Sequence, residues 1–315
     1  MKTASIIVPV YNEEDNIQPL YNELNKYCKE GYEIIFVDDG SKDRTLLAIS
    51  DLAQQDNRCK CISLSRNFGH QNAIMAGLEH AAGDHIIIMD GDLQHPPVLI
   101  PAMIQHLATG TDLVITKRNK TKNIGALKKL TARLFYTFIN SISDTVIEPN
   151  VSDFKAFNRK VLNSILLFKE RDLFLRGIFS WIGYKTAILE FDAPARKHGT
   201  TKYSFGKMLK LALKGTTSFS FKPLRVALLI GTLISIAAFA FGIYAVIVYY
   251  KGNTVPGWAS LIIAVMFLGG TQLLAIGLLG EYIAGLFTEA KRRPLYLVDK
   301  RINMPESSMH QMPPG

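Results

Sequence analysis

The sequence predicts a doubly wound α/β sheet followed by a two-helix transmembrane hairpin. Short β-branched runs alternate with amphipathic helical patterns through residues 1–220. Two uncharged apolar stretches, 226–250 and 252–280, each exceed the roughly 20 residues that cross a hydrocarbon core. A hydrophobic fraction of 48% beside 20% charged residues fits this division into a mixed first part and an apolar second part.

Strand-like runs fall at 5–10, 33–38, 59–64, 85–89 and 112–116, with helical patterns at 16–28, 45–54, 71–80 and 98–107 between them. Residues 125–143 show a basic amphipathic helical pattern carrying Lys128, Lys129 and Arg133. A further strand is expected at 151–157, a mixed apolar and basic helix at 171–181, a last strand at 185–191 and a basic loop at 193–201. On this reading the sheet is complete before the first apolar stretch. The domains are then an α/β domain with juxtamembrane amphipathic helices over 1–220, a hairpin over 221–290 and a tail over 291–315.

The formal net charge is +9. Lys197, Lys202, Lys207, Lys210, Lys214, Lys222 and Arg225 lead into the first apolar stretch, and Lys291, Arg292 and Arg293 follow the second. Charge gathered beside membrane segments favours lipid headgroups and phosphate over nucleic acid. The connection between the stretches holds only Lys251, so the positive-inside rule places the α/β domain and both termini on the cytoplasmic side of the inner membrane. Tyr249, Tyr250 and Trp258 suit an aromatic belt on the far side. Cys28, Cys59 and Cys61 form no even disulfide framework and read as reduced thiols. Residues 1–10 have no basic stretch ahead of an apolar one, so no cleaved signal peptide is expected.

In doubly wound sheets ligands sit beyond the carboxyl ends of the strands. The first run ends Val8-Pro9-Val10-Tyr11-Asn12-Glu13, the second Val37-Asp38-Asp39-Gly40-Ser41. Carboxylates and amides there can accept from a nucleobase and ribose, although Asn12 and Ser41 also suit plain helix caps. The fourth run leads into Asp90-Gly91-Asp92-Leu93-Gln94-His95-Pro96-Pro97. Asp90 and Asp92, with Gly91 allowing a tight bend, point hard oxygen donors into one crevice, where Gln94 can add a carbonyl. Mg²⁺ or Mn²⁺ favours such donors and commonly completes its shell with substrate phosphate. His95 reads as a cap or packing residue beside the two prolines.

These motifs, with Ser65-Arg66-Asn67-Phe68-Gly69-His70-Gln71, resemble glycosyltransferase family 2. Adding the Arg196–Ser204 run and a hairpin closing on Lys291-Arg292-Arg293-Pro294 makes the chain similar to the polyisoprenyl-phosphate glycosyltransferases, the bactoprenol glucosyltransferase-like and dolichol-phosphate mannose synthase-like group. The resemblance covers nearly the whole chain, to about residue 298. It implies a GT-A (Rossmann-like) catalytic domain, a divalent metal and inverting transfer of a hexose to undecaprenyl or another polyprenyl phosphate. UDP-glucose is the expected donor, with other sugars open. It implies nucleotide contacts from Pro9, Tyr11, Glu13 and Asp39, a metal and diphosphate site at Asp90, Asp92 and Gln94, and a basic residue near the donor at Arg118. Arg196 and Lys202 match a phosphate-contacting basic loop. The chain departs from the pattern at Lys128 and Ala132, where similar enzymes often carry Arg and Ser.

Asp153 resembles the carboxylate assigned as base in related transferases. An acceptor phosphate monoester has a second pKa near 6 and is ionised at neutral pH, so Asp153 is read as a positioning group or a weak base, with a structural cap as the plain alternative. Arg171 and Arg176 are candidates for the lipid phosphate, with snorkelling at the interface as the plain alternative. Glu281, near the end of the second apolar stretch, is either functional or paired with Lys291 or Arg292. A processive polysaccharide synthase would show a Gln-x-x-Arg-Trp motif and more membrane helices, and the chain has neither. A non-catalytic sugar-nucleotide scaffold is disfavoured by the paired aspartates. A homo-oligomer is compatible with the sequence.

Overall fold

The first strand shows why the sequence reads as it does. β1 (Ala4–Val10) is buried along its whole length, as expected of a strand covered on both faces. Its even residues Ala4, Ile6, Val8 and Val10 join a core with Ile17, Leu20 and Leu24 of α1 (Glu14–Tyr27), Ile49 and Leu52 of α2 (Thr45–Gln55), and Ile100 and Met103 of α4 (Ile100–Ala108). α3 (His70–His80) packs on β1 and on β2 (Tyr32–Asp38). Helices therefore lie on both faces of the sheet. The computed structural model describes residues 3–28, 30–119, 151–171, 174–192, 222–251 and 257–304. The expected helix at 125–143 and the basic loop with Arg196 and Lys202 lie outside the described residues.

The remaining strands are β3 (Cys59–Leu64), β4 (His85–Ile88), β5 (Leu113–Arg118), β6 (Val151–Asn158), β7 (Thr186–Phe191) and β8 (Val298–Ile302). They form one eight-stranded sheet in the order β7-β5-β6-β4-β1-β2-β3-β8. β1 pairs in parallel with both β2 and β4, and β2 with β3. The chain moves outward from β1 through β2 to β3, then returns to the other side of β1 as β4. That reversal places a topological switch point, the usual ligand crevice, between β1 and β4. β6 runs antiparallel to β4 and β5, so its first residues, not its last, lie at the crevice end.

Glu33 is fully buried on β2, and its charge is fully partnered. It accepts from Ser5 Oγ and Lys60 Nζ, both at 2.6 Å, and from the Ala82 N–H at 2.7 Å. A buried carboxylate is tolerable only with such partners.

Two described elements have no counterpart in the sequence reading, and one is shorter. α5 (Arg159–Ile165) follows β6 directly, its N-terminus capped by Asn158, whose Oδ1 accepts the Val161 N–H at 3.0 Å. α6 (Leu175–Trp181) begins four residues later than the helix expected at 171–181. β8 corrects the expectation of a plain tail after the hairpin and of a sheet completed before residue 221. It pairs antiparallel with β3, and beside it Leu297 O accepts the Ser65 N–H at 2.9 Å. Tyr296 OH bonds Glu79 of α3, and Asn303 Nδ2 donates to Cys59 O at 3.0 Å. Only Val298 and Ile302 of this strand are half-buried, so it carries almost no apolar alternation.

The second unit holds α7 (Lys222–Tyr250) and α8 (Trp258–Ala290). Ala227–Val248 and Ala264–Ala290 have mean hydropathies of 2.2 and 1.5, and both helices are long and apolar enough to cross a membrane. Apolar side chains such as Leu228, Phe239 and Leu274 are exposed around them, as in helices built for a hydrocarbon solvent. Among the described residues no ion pair joins Glu281 to Lys291 or Arg292. Lys291 Nζ lies over the Phe287 ring at 4.1 Å.

Candidate active site

Three strand ends converge at the switch point. Val10 is in register with Asp38, and the Asp39 N–H donates to Val10 O at 2.9 Å. The Met89 N–H donates to Ile7 O at 3.0 Å, carrying Asp90 to the same level. The turn after β1 is stitched to the turn after β2. The Asn12 N–H donates to Ser41 Oγ at 2.9 Å, Asn12 Oδ1 accepts the Lys42 N–H at 2.8 Å, and the Glu13 N–H donates to Thr45 Oγ1 at 2.9 Å. Of the residues expected to contact nucleotide, Tyr11 is exposed here and Glu13 half-buried, whereas Pro9 lies buried inside β1.

Asp39 is buried, and both its oxygens are engaged. Oδ1 accepts the Phe68 N–H at 2.7 Å and Oδ2 the Gly69 N–H at 2.9 Å. Burial raises this carboxyl above its ordinary value, opposed by those two N–H groups. Asp39 thus holds the turn ahead of α3 beside the crevice, with lone pairs left for a ribose or base. Gly40 makes this approach possible. Its φ is +67°, and a Cβ there would lie 2.4 Å from the Arg66 carbonyl carbon.

The Asp90–Gln94 turn forms the opposite wall. At Gly91 a Cβ would sit 2.6 Å from Val10 Cγ1, so only glycine lets this turn lie against β1. Asp92 Oδ1 accepts the Gln94 N–H at 3.1 Å, and Gln94 Oε1 accepts from Arg118 at 3.1 Å. Arg118, expected to lie near the donor, reaches this turn and engages the Gln94 side chain. His95 Nδ1 accepts the Asp90 N–H at 2.9 Å, which leaves the ring proton on Nε2, 2.7 Å from Ser152 Oγ. Burial lowers the His95 pKa and keeps the ring neutral; it also stacks on Phe154 at 5.2 Å. His95 is therefore the strut between this turn and the start of β6.

Asp90 Oδ1 is buried without a hydrogen bond. His70 Nε2, at 3.2 Å, approaches it as an ionic contact off the hydrogen-bond direction. Partial desolvation would lower the His70 pKa, but the Asp90 carboxylate and the more distant Asp153 outweigh it and raise it, although the side chain is 45% exposed. Among the described residues no group of three or more His, Cys, Asp or Glu is arranged around a metal. The Asp90 and Asp92 carboxylates, two residues apart on one turn and with Asp90 Oδ1 lacking a well-formed hydrogen bond, still fit a hard divalent cation that takes its other ligands from phosphate and water.

Asp153, at the crevice end of β6, is paired. Arg176 of α6 donates from Nε to Oδ1 at 2.9 Å and from a terminal nitrogen to Oδ2 at 2.7 Å. Lys155 Nζ lies 3.5 Å away and donates to Ser152 O at 2.8 Å. Burial works to raise the Asp153 pKa, but Arg176 and Lys155 outweigh it and hold the carboxyl far below the ordinary range. Asp153 is thus a poor proton acceptor, and Arg176 is held by protein before any phosphate arrives. Arg171 is itself half-buried. Sequence reasoning gave no role to His70, Gln71, Ser152 or Lys155, although the first two stand in the quoted 65–71 motif.

The mixed α/β sheet with its crevice at the switch point is that of the GT-A fold. The model of "Glycosyl transferase family 2" matches residues 5–166, and that of "GtrB C-terminal hairpin" matches residues 222–286. A prophage bactoprenol glucosyl transferase homolog of Escherichia coli is 43% identical over 300 residues, covering 94% of this chain and 98% of the relative. A prophage-derived bactoprenol glucosyl transferase of Shigella flexneri is 42% identical, covering 94% of this chain and 97% of the relative. An uncharacterized glycosyltransferase of Synechocystis is 41% identical, with 93% and 94% covered. The chain belongs to glycosyl transferase family 2, and it is a glycosyltransferase.

Proposed function

We propose that this protein transfers a hexose, with glucose from UDP-glucose as the leading donor, to undecaprenyl or another polyprenyl phosphate with inversion at the anomeric carbon. The observation that carries the reading is one chain holding both an Asp90/Asp92 crevice at the switch point and a hairpin of membrane length. The names of relatives aligned over 94% of the chain support the lipid acceptor.

In this reading Tyr11, Glu13 and Asp39 frame the nucleoside, and Arg118 sets Gln94 and the Asp90–Gln94 turn. Asp90 and Asp92 would hold Mg²⁺ or Mn²⁺, whose charge offsets that of the departing nucleoside diphosphate. Arg196 and Lys202, outside the described residues, are assigned to the same phosphates. An oxygen of the acceptor phosphate attacks the anomeric carbon as the bond to the diphosphate breaks, giving a polyprenyl phosphate hexose and a nucleoside diphosphate. The attacking oxygen is already ionised at neutral pH, so no strong base is required. Arg176, 38% exposed and aligned by Asp153, supplies positive charge for that phosphate, and Arg171 is assigned beside it. Basic flanks of the hairpin support a cytoplasmic placement of the catalytic unit and both termini at the inner membrane.

The test is release of nucleoside diphosphate from a panel of nucleotide-sugars by the full-length protein in detergent, with and without undecaprenyl phosphate. The reading expects one sugar to dominate and release to depend on the lipid. Release that ignores the lipid contradicts it.

A further inference from the structure

α6 has seven residues, and its N-cap, Phe174, makes no side-chain cap. A helix that short does not stand alone in water, and its first N–H groups need partners from elsewhere. The Gly177 and Ile178 N–H groups turn back to Phe174 O at 2.9 and 3.1 Å. The Leu175 N–H is met from outside the segment, by Gln71 Oε1 of α3 at 3.2 Å. The next residue, Arg176, grips Asp153.

The neighbours of Gln71 hold the rest of the site. The Phe68 and Gly69 N–H groups bind Asp39 at the end of β2, and His70 contacts Asp90 at the end of β4. Four consecutive residues therefore touch donor-side carboxylates on two strands and the helix that carries Arg176. Gln71 is the member that reaches toward the acceptor side.

We propose that Gln71 is a positioning residue: its side-chain carbonyl sets the register of α6, and so fixes the Arg176–Asp153 pair relative to Asp90. The kinetic consequence rests on the polyprenyl-phosphate reading above; the structural one does not. A glutamine suits the task because its side-chain carbonyl reaches the N-terminus of α6 and accepts the Leu175 N–H. Leucine, of similar size, leaves the Leu175 N–H without its partner. Glutamate keeps an acceptor oxygen and suits the positive end of a helix.

The experiment uses the full-length protein in detergent as wild type, Gln71→Leu and Gln71→Glu. Hydrogen exchange of a peptide spanning 174–181 is expected to quicken on the order of tenfold in Gln71→Leu, the factor of one ordinary hydrogen bond, and to recover in Gln71→Glu. Exchange over β4 and α4 should not change. The KM for polyprenyl phosphate should rise by about fivefold or more in Gln71→Leu while the donor KM moves by less than about twofold, with recovery in Gln71→Glu. Unchanged exchange over 174–181 overturns the capping role, and equal rises in both KM values overturn the acceptor-side role. If wild type transfers nothing to any polyprenyl phosphate, the functional reading falls and the exchange result alone decides the register. Should Gln71→Leu fail to fold, Gln71→Asn, which keeps the amide but shortens its reach, carries the same expectations.

Discussion

Replacing Asp153 by Asn keeps the shape of the side chain and removes the charge that Arg176 and Lys155 share. Breaking a buried ion pair costs about 3–5 kcal/mol. Arg176 is 38% exposed, so water takes over part of its loss. Lys155 is 2% exposed but keeps Ser152 O at 2.8 Å. The expected loss is therefore about 2–3 kcal/mol, read as a lower melting temperature. Its pH dependence follows from the depressed carboxyl. A carboxylate with a lowered folded pKa contributes stability that is fully present above its unfolded value, about 3.9, and lost only as pH falls below it. The carboxyl itself therefore adds no pH dependence between about pH 5 and pH 9. The one change expected there is a small shrinking of the Asp153→Asn deficit as pH rises through the His70 titration, because Asp153 helps to hold that ring protonated. The same electrostatics decides the catalytic role. General-base catalysis contributes about 10²–10⁴-fold, and a carboxylate held this low has little proton affinity to offer. With donor and lipid saturating, transfer should show an acidic limb near the acceptor's second pKa of about 6, and Asp153→Asn should keep that limb even if its rate falls. A limb present in wild type and absent from Asp153→Asn would refute this and make Asp153 the base.

Asp90→Asn or Asp92→Asn should abolish most transfer while leaving the circular-dichroism spectrum intact, and full activity in EDTA would contradict the metal's role. Deleting residues 293–315 removes β8 and the carbonyl that receives the Ser65 N–H. Calorimetry should then show weaker nucleotide binding and a lower melting temperature; no change in either would mean that β8 is a passive edge. Gly40→Ala must place a Cβ 2.4 Å from backbone at a φ of +67°. It should cost about 1–3 kcal/mol and weaken nucleotide binding, and an unshifted melting temperature would show that the turn relaxes freely.

The parts of the fold visible in the sequence are those with strong local periodicity. β1 to β4 are short runs dominated by apolar residues, broken by single polar ones such as Glu33 and Lys60, because both faces are covered, and α1 shows its Ile17, Leu20 and Leu24 stripe. The hairpin announces itself by length. β8 was invisible because only two of its five residues are half-buried, so its place comes from backbone pairing with β3 rather than from pattern. α5 was missed because seven residues allow scarcely two helical turns. In the site, Asp90 and Asp92 were legible from a strand running into paired acids. The Arg176–Asp153 pair was not, since it joins residues 23 apart across two elements. Nor was the task of His95, which depends on Asp90 N–H and Ser152 Oγ closing on one ring.

The claim on which the rest depends is that the sugar ends on a lipid phosphate. Full-length protein in detergent, given UDP-glucose, undecaprenyl phosphate and Mg²⁺ or Mn²⁺, should convert the lipid to a species heavier by one hexose residue by mass spectrometry, with UDP formed in equal amount. An unmodified lipid, with glucose released to water or found only on a hydroxyl acceptor, would contradict it.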